Sequence, residues 1–296
     1  MKSGFISLVG RPNAGKSTLL NNIIGKKIAI TSAKPQTTRD NIQGIYNDEE
    51  SQMIFVDTPG IHKPKHKLGK HLNREAYYSI DDVDIILFLV DACEKFGKGD
   101  EFVLEKLKQT DKPVFLILTK VDKIPKMEVL SLINEYKDLY DFKEIIPLSA
   151  TKNDNVDALL KTLKSYLPDT IKYYEDGQVT NKPLEFRLKE MVREKILRLT
   201  EEEVPHSATC YIEKVERHNN SFNVGAIIVV DRDALKRIII GKNGQMLKKI
   251  GMLAREDIEK EFGKKVYLEL FVKVMKNWRD RENYLTELGY SNKDEF

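Results

Sequence analysis

The stretch GRPNAGKS, from Gly10 to Ser17, decides the fold of the first half of this chain. An apolar, partly β-branched run at 5–9 precedes it, and a helix-forming run at 18–24 follows it. A strand that breaks into a glycine-rich loop and then into a helix directs backbone N–H groups and a helix N-terminus at one place. Because this geometry binds polyphosphate, the pattern G-x-x-x-x-G-K-S in this setting predicts a phosphate-binding loop.

Length and composition indicate a two-domain protein of mixed charge. The chain has 296 residues, more than one typical domain, and a net charge of +3 that is too small to argue nucleic-acid binding by itself. Cys93 and Cys210 lack metal-ligand spacing and suit a reducing compartment. No signal pattern precedes the phosphate loop, and every apolar run is far shorter than the roughly 20 residues that span a bilayer. We therefore expect a soluble cytoplasmic protein without a transmembrane segment, and surface association with a membrane stays open.

Strand and helix patterns alternate through the first half of the chain. Near-continuous apolar strands between helices predict an α/β domain with a mostly parallel sheet covered on both faces. The first two strands after the phosphate loop form an antiparallel hairpin at one edge in this prediction. Ligands of such sheets bind at the carboxyl ends of the strands. The predicted strands lie near 4–9, 41–47, 52–57, 84–91, 114–119 and 144–148, and the helices near 16–25, 68–79, 99–110, 126–140 and 155–167.

Candidate phosphate and metal residues stand at these strand ends. Lys16 is expected to reach the β- and γ-phosphates, and Ser17 to place its hydroxyl on Mg²⁺. Asp57 emerges from a buried strand and can hold Mg²⁺ through water, although an isolated aspartate there would be interpreted as a turn or helix-cap residue. Gly60 closes the segment Asp57-Thr58-Pro59-Gly60 and offers a backbone N–H to the γ-phosphate.

Two later segments predict guanine specificity. Asp122 can accept hydrogen bonds from both N1–H and the 2-amino group of guanine, a pair of donors that adenine lacks. The alkyl stem of Lys120 can lie along the base, and backbone N–H groups of residues 149–151 can contact guanine O6. We therefore predict GTP or GDP as the ligand. The predicted nucleotide-binding residues are Gly10, Arg11, Pro12, Asn13, Ala14, Gly15, Lys16, Ser17, Thr18, Asp57, Thr58, Pro59, Gly60, Thr119, Lys120, Val121, Asp122, Ser149, Ala150 and Thr151.

The second half of the chain predicts a different domain. The polar composition of the segment over 171–183 predicts a linker. The elements predicted after it follow the order α-β-β-α-α-β. A Gly-x-x-Gly turn between the two central helices lets the backbone pass close to a nucleic-acid backbone. Alone it is usually a helix–helix turn, but in this element order it is typical of a KH module that clamps single-stranded RNA. For Lys248 and Lys249 the alternative interpretation is an ordinary solvated helix face. The predicted RNA-binding residues are Ile239, Ile240, Gly241, Lys242, Asn243, Gly244, Gln245, Lys248 and Lys249.

These motifs resemble those of a known family. The segments 10–17, 57–60, 119–122 and 149–151 are similar to the G1, G3, G4 and G5 motifs of translation-factor-related GTPases. The segment at 34–40, Lys-Pro-Gln-Thr-Thr-Arg-Asp, resembles the switch I motif of the Era branch. With a C-terminal type II KH domain, essentially the whole chain resembles the Era family of the TrmE-Era-EngA-EngB-Septin-like superfamily. The predicted domains are a GTPase domain over 1–170, a linker over 171–183 and a type II KH domain over 184–296.

The resemblance implies roles for residues that the motifs alone do not assign. Thr38 is expected to close onto Mg²⁺ and the γ-phosphate, which gives a catalytic set of Lys16, Thr38 and Gly60 and a metal set of Ser17, Thr38 and Asp57. In some relatives the loop asparagine, here Asn13, helps to hold a K⁺ ion. The chain departs from related GTPases at two positions, where Thr119 replaces the usual asparagine and Ile61 replaces the glutamine that orients water in Ras-like enzymes.

The resemblance also implies a biological role. Its members are bacterial GTPases that bind 16S rRNA near its 3′ end and assist maturation of the 30S subunit, and peripheral association with the inner face of the cell membrane belongs to the family's description. We further expect the nucleotide state to control RNA binding. The main alternative is a membrane- or cell-cycle-associated signalling GTPase that uses the KH-like domain for protein contacts. A third interpretation is an RNA chaperone with vestigial nucleotide binding.

Overall fold

The computed structural model describes residues 1–61, 64 and 66–290, which form two compact units. The boundaries of these units follow contacts and not only the order of the chain. The first unit comprises Met1–Thr31, Thr38–Lys63 and Leu72–Asn181, and the second comprises Ser32–Thr37, Pro64–His71 and Lys182–Phe296.

A six-stranded sheet organises the first unit, with strand order β2-β3-β1-β4-β5-β6. All neighbouring strands pair in parallel except β2 and β3, which form the predicted antiparallel hairpin at one edge. The predicted mostly parallel α/β fold is therefore confirmed. The elements are β1 Lys2–Gly10, α1 Lys16–Ile24, β2 Ile42–Asn47, β3 Ser51–Asp57, α2 Lys67–Asp81, β4 Ile85–Asp91, α3 Lys98–Leu107, β5 Val114–Thr119, α4 Lys126–Tyr136, β6 Glu144–Pro147 and α5 Val156–Tyr166.

Both faces of this sheet are buried, which explains why its strands are apolar almost without interruption. On one face Phe88 and Leu116 pack with Val103 of α3 and Tyr136 of α4 in a single apolar cluster. Successive strand side chains point to opposite faces, so the alternate strand residues need a second cover. Helices α1 and α5 bury leucines outside that cluster, as a cover for the second face requires.

The segment predicted as a linker packs largely within the first unit. Residue Thr180 bridges to Gly44, and the N–H of Ile45 donates to the carbonyl oxygen of Val179 at 3.0 Å. The side-chain oxygen of Gln52 also accepts hydrogen bonds from backbone N–H groups of this segment. The segment thus lies along the edge strand β2, and the first unit extends to Asn181.

The second unit contains the predicted α-β-β-α-α-β order with additions. Its three-stranded sheet has the order β7-β8-β9, with β7 antiparallel and β9 parallel to β8. The short helix α7 was not predicted. Trp278 is fully buried and donates from its indole N–H to the carbonyl oxygen of Ser207 at 2.9 Å. The elements are α6 Leu184–Leu199, α7 Val204–Ser207, β7 Ala208–Arg217, β8 Ser221–Val230, α8 Asp233–Ile240, α9 Gln245–Phe262, β9 Lys265–Val274 and α10 Glu282–Glu287.

A buried charged pair on α6 holds one of the short segments of the second unit. The guanidinium of Arg193 donates to the carboxylate of Glu190 at 2.6 and 2.8 Å, and both side chains are almost completely buried. The same guanidinium donates to the carbonyl oxygen of Thr37. A buried arginine needs partners of this kind, because an unpaired charge in the protein interior is strongly unfavourable.

Candidate functional site

The phosphate loop folds around the ammonium group of Lys16. This group donates to the carbonyl oxygens of Gly10 at 3.0 Å and Arg11 at 2.9 Å. Burial lowers the pKa of Lys16 to about 8, against the opposing attraction of Asp57. The ammonium group is buried and its hydrogen bonds go to neutral carbonyl oxygens. A bound phosphate group would stabilise the positive charge of this ammonium group.

Ser17, Thr38 and Asp57, the three predicted metal residues, come together beside the loop. The Ser17 hydroxyl donates to Asp57 Oδ2 at 2.6 Å and lies 2.9 Å from Thr38 Oγ1. Thr38 Oγ1 donates to the same carboxylate oxygen at 3.2 Å. Burial raises the pKa of Asp57, and its other oxygen, Oδ1, is buried with no hydrogen-bond partner among the described residues.

This arrangement fits a hard divalent cation. A carboxylate and two hydroxyl groups are ligands that Mg²⁺ prefers, and the buried Oδ1 of Asp57 is available to a metal-bound water. Among the described residues no group of three or more histidine, cysteine or acidic side chains could hold a metal. A cation at this place would therefore depend on nucleotide phosphates and water for its remaining ligands.

The segment after Asp57 approaches the phosphate loop closely at Gly60. A Cβ added at Gly60 would lie 2.7 Å from the backbone nitrogen of Pro12, so only glycine fits. The next residue, Ile61, is 1% exposed, belongs to the apolar cluster below the sheet and donates its N–H to the carbonyl oxygen of Gly10 at 3.4 Å. Ile61 thus has neither the polarity nor the orientation to position an attacking water.

The predicted base-binding segment at the end of β5 braces the phosphate loop. Thr119 Oγ1 donates to the carbonyl oxygens of Ala14 at 2.9 Å and Val90 at 3.1 Å. Lys120 Nζ donates to the carbonyl oxygen of Asn13 at 2.9 Å. Asp122 follows in a short 3₁₀ turn with an exposed side chain, where a ligand can reach it.

One detail of the predicted base contact needs correction. Ser149 is fully buried, and its N–H donates to the carbonyl oxygen of Asp154 at 3.1 Å. That N–H is therefore used within its own loop, and only the N–H groups of Ala150 and Thr151 remain for guanine O6. The sequence could not reveal this, because the turn at 149–154 is closed by backbone atoms.

Sequence reasoning missed the carboxylates that support the loop from outside. The Arg11 guanidinium contacts Glu94 at 2.7 Å and the buried carboxylate of Asp100 at 2.8 Å. Asp91, at the end of β4, forms an ion pair with Lys120. The sequence does carry a signal for Asp91, because this residue ends β4. Strand β4 adjoins β1 in the sheet, so its carboxyl end meets the phosphate loop.

The Gly-x-x-Gly turn in the second unit requires both glycines, for different reasons. Gly241 has φ 71° and a Cβ there would lie 2.7 Å from Met246 Cβ. Gly244 has φ 75° but faces open space, with no atom within 4 Å of an added Cβ. The turn therefore presents backbone at Gly244 to anything that approaches from outside.

A groove of about 700 Å³ runs from Gly244 between α9 and β9. Its floor is apolar, and Lys248 and Arg255 supply positive charge along the helix. Ile239 is fully buried in the core, so it is not available as a direct RNA contact, and Lys249 lies outside the lining. The groove is lined by Gly244, Leu247, Lys248, Gly251, Met252, Arg255, Val266, Tyr267, Leu268, Glu269 and Leu270.

The two sites define the class of the protein as a phosphate-loop GTPase with a KH module. A family model described as 50S ribosome-binding GTPase matches residues 5–120, and a KH domain model matches residues 203–279. These matches cover the phosphate loop, the metal cluster and the Gly-x-x-Gly groove.

Two solved structures are similar to the whole chain. A tyrosine-to-alanine variant of Era from Aquifex aeolicus, bound to GDP and AlF4⁻, is 43% identical, covers 99% of this chain and 100% of its own, and has a TM-score of 0.95. Era in complex with MgGDPNP and nucleotides 1506–1542 of 16S ribosomal RNA is 42% identical, with the same coverage and TM-score. The chain belongs to the Era family, and it is a GTPase, as predicted.

Proposed function

We propose that this GTPase binds the 3′ region of 16S rRNA through the α9–β9 groove and assists maturation of the 30S ribosomal subunit. The observation that carries the proposal is the groove itself, with an open glycine at its mouth, an apolar floor and two basic side chains. Unstacked bases fit such a floor, and the basic groups neutralise the phosphates. The Era complex with nucleotides 1506–1542 of 16S ribosomal RNA supports this assignment.

In the proposed mechanism, the first unit holds GTP with Mg²⁺, which neutralises charge on the phosphates. Ser17, Thr38 and Asp57 would hold the cation, and Lys16 stabilises the transferred phosphate through its buried ammonium. The N–H of Gly60 is positioned for the γ-phosphate by its close approach to the loop. Asp122 selects guanine by accepting two hydrogen bonds from its edge.

We also propose that hydrolysis is stimulated by K⁺. Ile61 provides no group to orient water, so additional positive charge near the phosphates would have to stabilise the transition state. Asn13 has a left-handed backbone with φ 67° at the tip of the loop, where a side-chain oxygen can serve a cation. GTP turnover in K⁺ compared with Na⁺, for the native chain and Asn13→Ala, tests this. Equal rates in both salts would contradict it.

The nucleotide and RNA sites are proposed to be coupled through the switch I segment at 34–40. Ser32–Thr37 and Pro64–His71 group with the second unit, and Arg193 donates to the carbonyl oxygen of Thr37. The next residue, Thr38, belongs to the metal cluster, so a change there moves a residue that α6 contacts. Because coupling between sites is reciprocal, RNA would also favour the GTP-bound form.

RNA recognition is tested with the variant Gly244→Asp. The new carboxylate would stand where the RNA backbone passes, so affinity for a labelled 3′ fragment of 16S rRNA should fall at least about tenfold, while GDP affinity stays unchanged. Gly263→Asp is the matched control, because Gly263 also has positive φ and open space but caps the other end of α9. Equal losses in both variants, or preferential binding of 50S subunits, would refute the assignment.

Coupling has a separate test. RNA affinity is measured with GDP, with a non-hydrolysable GTP analogue and without nucleotide. The analogue should tighten RNA binding relative to GDP, and identical affinities in all states would exclude coupling.

Membrane association belongs to the family resemblance and has no support in the contacts described above. None of the helices within residues 1–61, 64 and 66–290 has the length and apolar character to cross a bilayer. Co-sedimentation of the full chain with anionic lipid vesicles distinguishes a peripheral, membrane-associated signalling GTPase from an RNA-directed one. Retained function of Lys16→Ala in ribosome assembly would instead favour an RNA chaperone that does not need its nucleotide.

A further inference from the structure

The outer face of the KH sheet has a cavity that shares Tyr267 and Glu269 with the RNA groove but is otherwise lined by different residues. It has a volume of about 510 Å³ and opens on the side of β9 opposite to the packed core. Its centre is Gly225, which pairs with Lys214 on one side and Glu269 on the other. A Cβ at Gly225 would have no neighbour closer than 3.7 Å, so the missing side chain leaves the floor open.

Two aromatic rings stand at the rim of this cavity. Tyr267 is 64% exposed and Phe271 is 57% exposed, and they lie on the same face of β9 with Glu269 between them. Exposed aromatic side chains of this size are unusual on a free surface and mark interaction sites when they cluster. A pair of rings with a carboxylate between them suits a cationic group, which gains from both the ring faces and the charge.

The net negative charge of the cavity favours a positively charged partner. Three carboxylates line it, Glu213, Glu216 and Glu269, against one ammonium group, that of Lys214. Lys214 is paired with Glu216 at 2.7 Å and also attracts the charge of Glu269. Among the described residues neither Glu213 nor Glu269 has a direct ion-pair partner. The other lysines of this face of β9 lie at the two ends of the strand, outside the lining.

We propose that this surface binds an extended, arginine-bearing segment of a basic protein. Guanidinium groups bind carboxylates in a bidentate manner and stack on aromatic rings, so one arginine can satisfy Glu269 together with Tyr267 or Phe271. RNA is excluded as the occupant, because its phosphates would meet an excess of carboxylates. Tyr267 and Glu269 of the edge strand β9 border both the groove and this cavity, whereas Glu213, Glu216 and Phe271 line the cavity alone.

The test uses the full chain and a fluorescein-labelled peptide in which arginine alternates with valine. Fluorescence anisotropy should show saturable binding, and the same peptide with glutamate in place of arginine should not bind. The double variant Glu213→Gln/Glu269→Gln should weaken binding roughly fivefold or more, and Phe271→Ala about threefold. All of these positions are exposed, so the variants are expected to fold.

A charge-matched control is Glu128→Gln/Glu135→Gln, which removes two exposed carboxylates from α4. This control should bind the peptide like the native chain. Lack of saturable binding, equal weakening in the control, or weaker RNA binding by Phe271→Ala would overturn the proposal. Self-association of the chain that Phe271→Ala abolishes would also overturn it, since the occupant would then be a second copy.

The result of the peptide experiment can be distinguished from the result of the RNA-binding experiment. Gly244→Asp should leave peptide binding intact, whereas Phe271→Ala, at a residue that lines the cavity but not the groove, should leave RNA affinity within about twofold. If the native chain bound the peptide but no RNA, only the proposed RNA function would fail.

Discussion

The hydroxyl of Thr119 donates a hydrogen bond to the carbonyl oxygen of Ala14 in the phosphate loop, at 2.9 Å. The residues are far apart in sequence, and this bond joins the end of β5 to the loop that follows β1. A second bond from the same hydroxyl reaches the carbonyl oxygen of Val90 at 3.1 Å. Thr119 therefore braces the loop with a hydroxyl where related GTPases have an asparagine amide.

Thr119→Val should weaken the binding of both GTP and GDP. Valine keeps the shape of threonine but leaves two buried carbonyl oxygens without this donor, which costs about 1–2 kcal/mol and lowers affinity roughly tenfold. Titration with a fluorescent GDP analogue measures the change. Thr119→Ser is the control, since it retains the hydroxyl and should bind nearly as well as the native chain. Native affinity in the valine variant would show that the brace has no role.

Nucleotide affinity should depend on pH through Lys16. Burial holds the pKa of this lysine at about 8 instead of its ordinary 10.5, and a bound phosphate raises it. The favourable charge is therefore fully present below about pH 8, and affinity falls as the pH rises above it, by up to about tenfold per unit. GDP titrations from about pH 7 to about pH 10 measure this.

The ratio of native to Lys16→Met affinity isolates the lysine, because titration of guanine itself is common to both proteins. This ratio should decline above about pH 8. A constant ratio would mean that the ammonium of Lys16 does not titrate in this range.

Gly60→Ala should impair the response to GTP more than the binding of GDP. The added methyl group would collide with Pro12 at 2.7 Å and push the segment away from the γ-phosphate position. We expect a drop in GTP turnover of at least about tenfold, measured as phosphate release. Gly97→Ala is the control, because its Cβ would make only ordinary contacts, at 3.8 and 3.9 Å. Similar turnover in the two variants would contradict this account.

Lys248→Ala should weaken RNA binding and reduce its salt dependence. Lys248 lines the groove, whereas its neighbour Lys249 does not, so Lys249→Ala serves as the control at equal charge. Loss of one phosphate contact to single-stranded RNA reduces the slope of log K against log salt concentration by about 0.7. Affinities at several salt concentrations give this slope. Equal slopes for the two variants would place the RNA outside the groove.

The sequence was sufficient to predict the elements and to place the nucleotide motifs at strand ends, which parallel strands bring together at one edge of the sheet. Ser17 and Asp57 illustrate this, since they belong to different motifs and their side chains lie 2.6 Å apart. The proposed metal role of Thr38 rests on the family resemblance and on its contact with Ser17 and Asp57. The position of each motif at a strand end was thus informative wherever the sheet was regular.

Contacts that depend on packing between distant elements were not predictable. The helical pattern marked Ile239 as apolar but did not tell whether it faced the core or the groove. The pairing of α9 with β9, which places Met252 opposite Leu270 in one groove, depends on which strand forms the sheet edge. The backbone bond that occupies the N–H of Ser149 has no side-chain signature at all.

The polar segment whose residue Thr180 pairs with Gly44 of β2 has a consequence for solubility. Strand β2 is the outermost strand of its sheet, and an uncovered outer strand exposes free N–H and C=O groups that recruit other chains. Residues 173–181 shield this strand, so a fragment that stops at the end of α5 should aggregate as intermolecular sheet. The same fragment extended to Asn181 should stay monomeric.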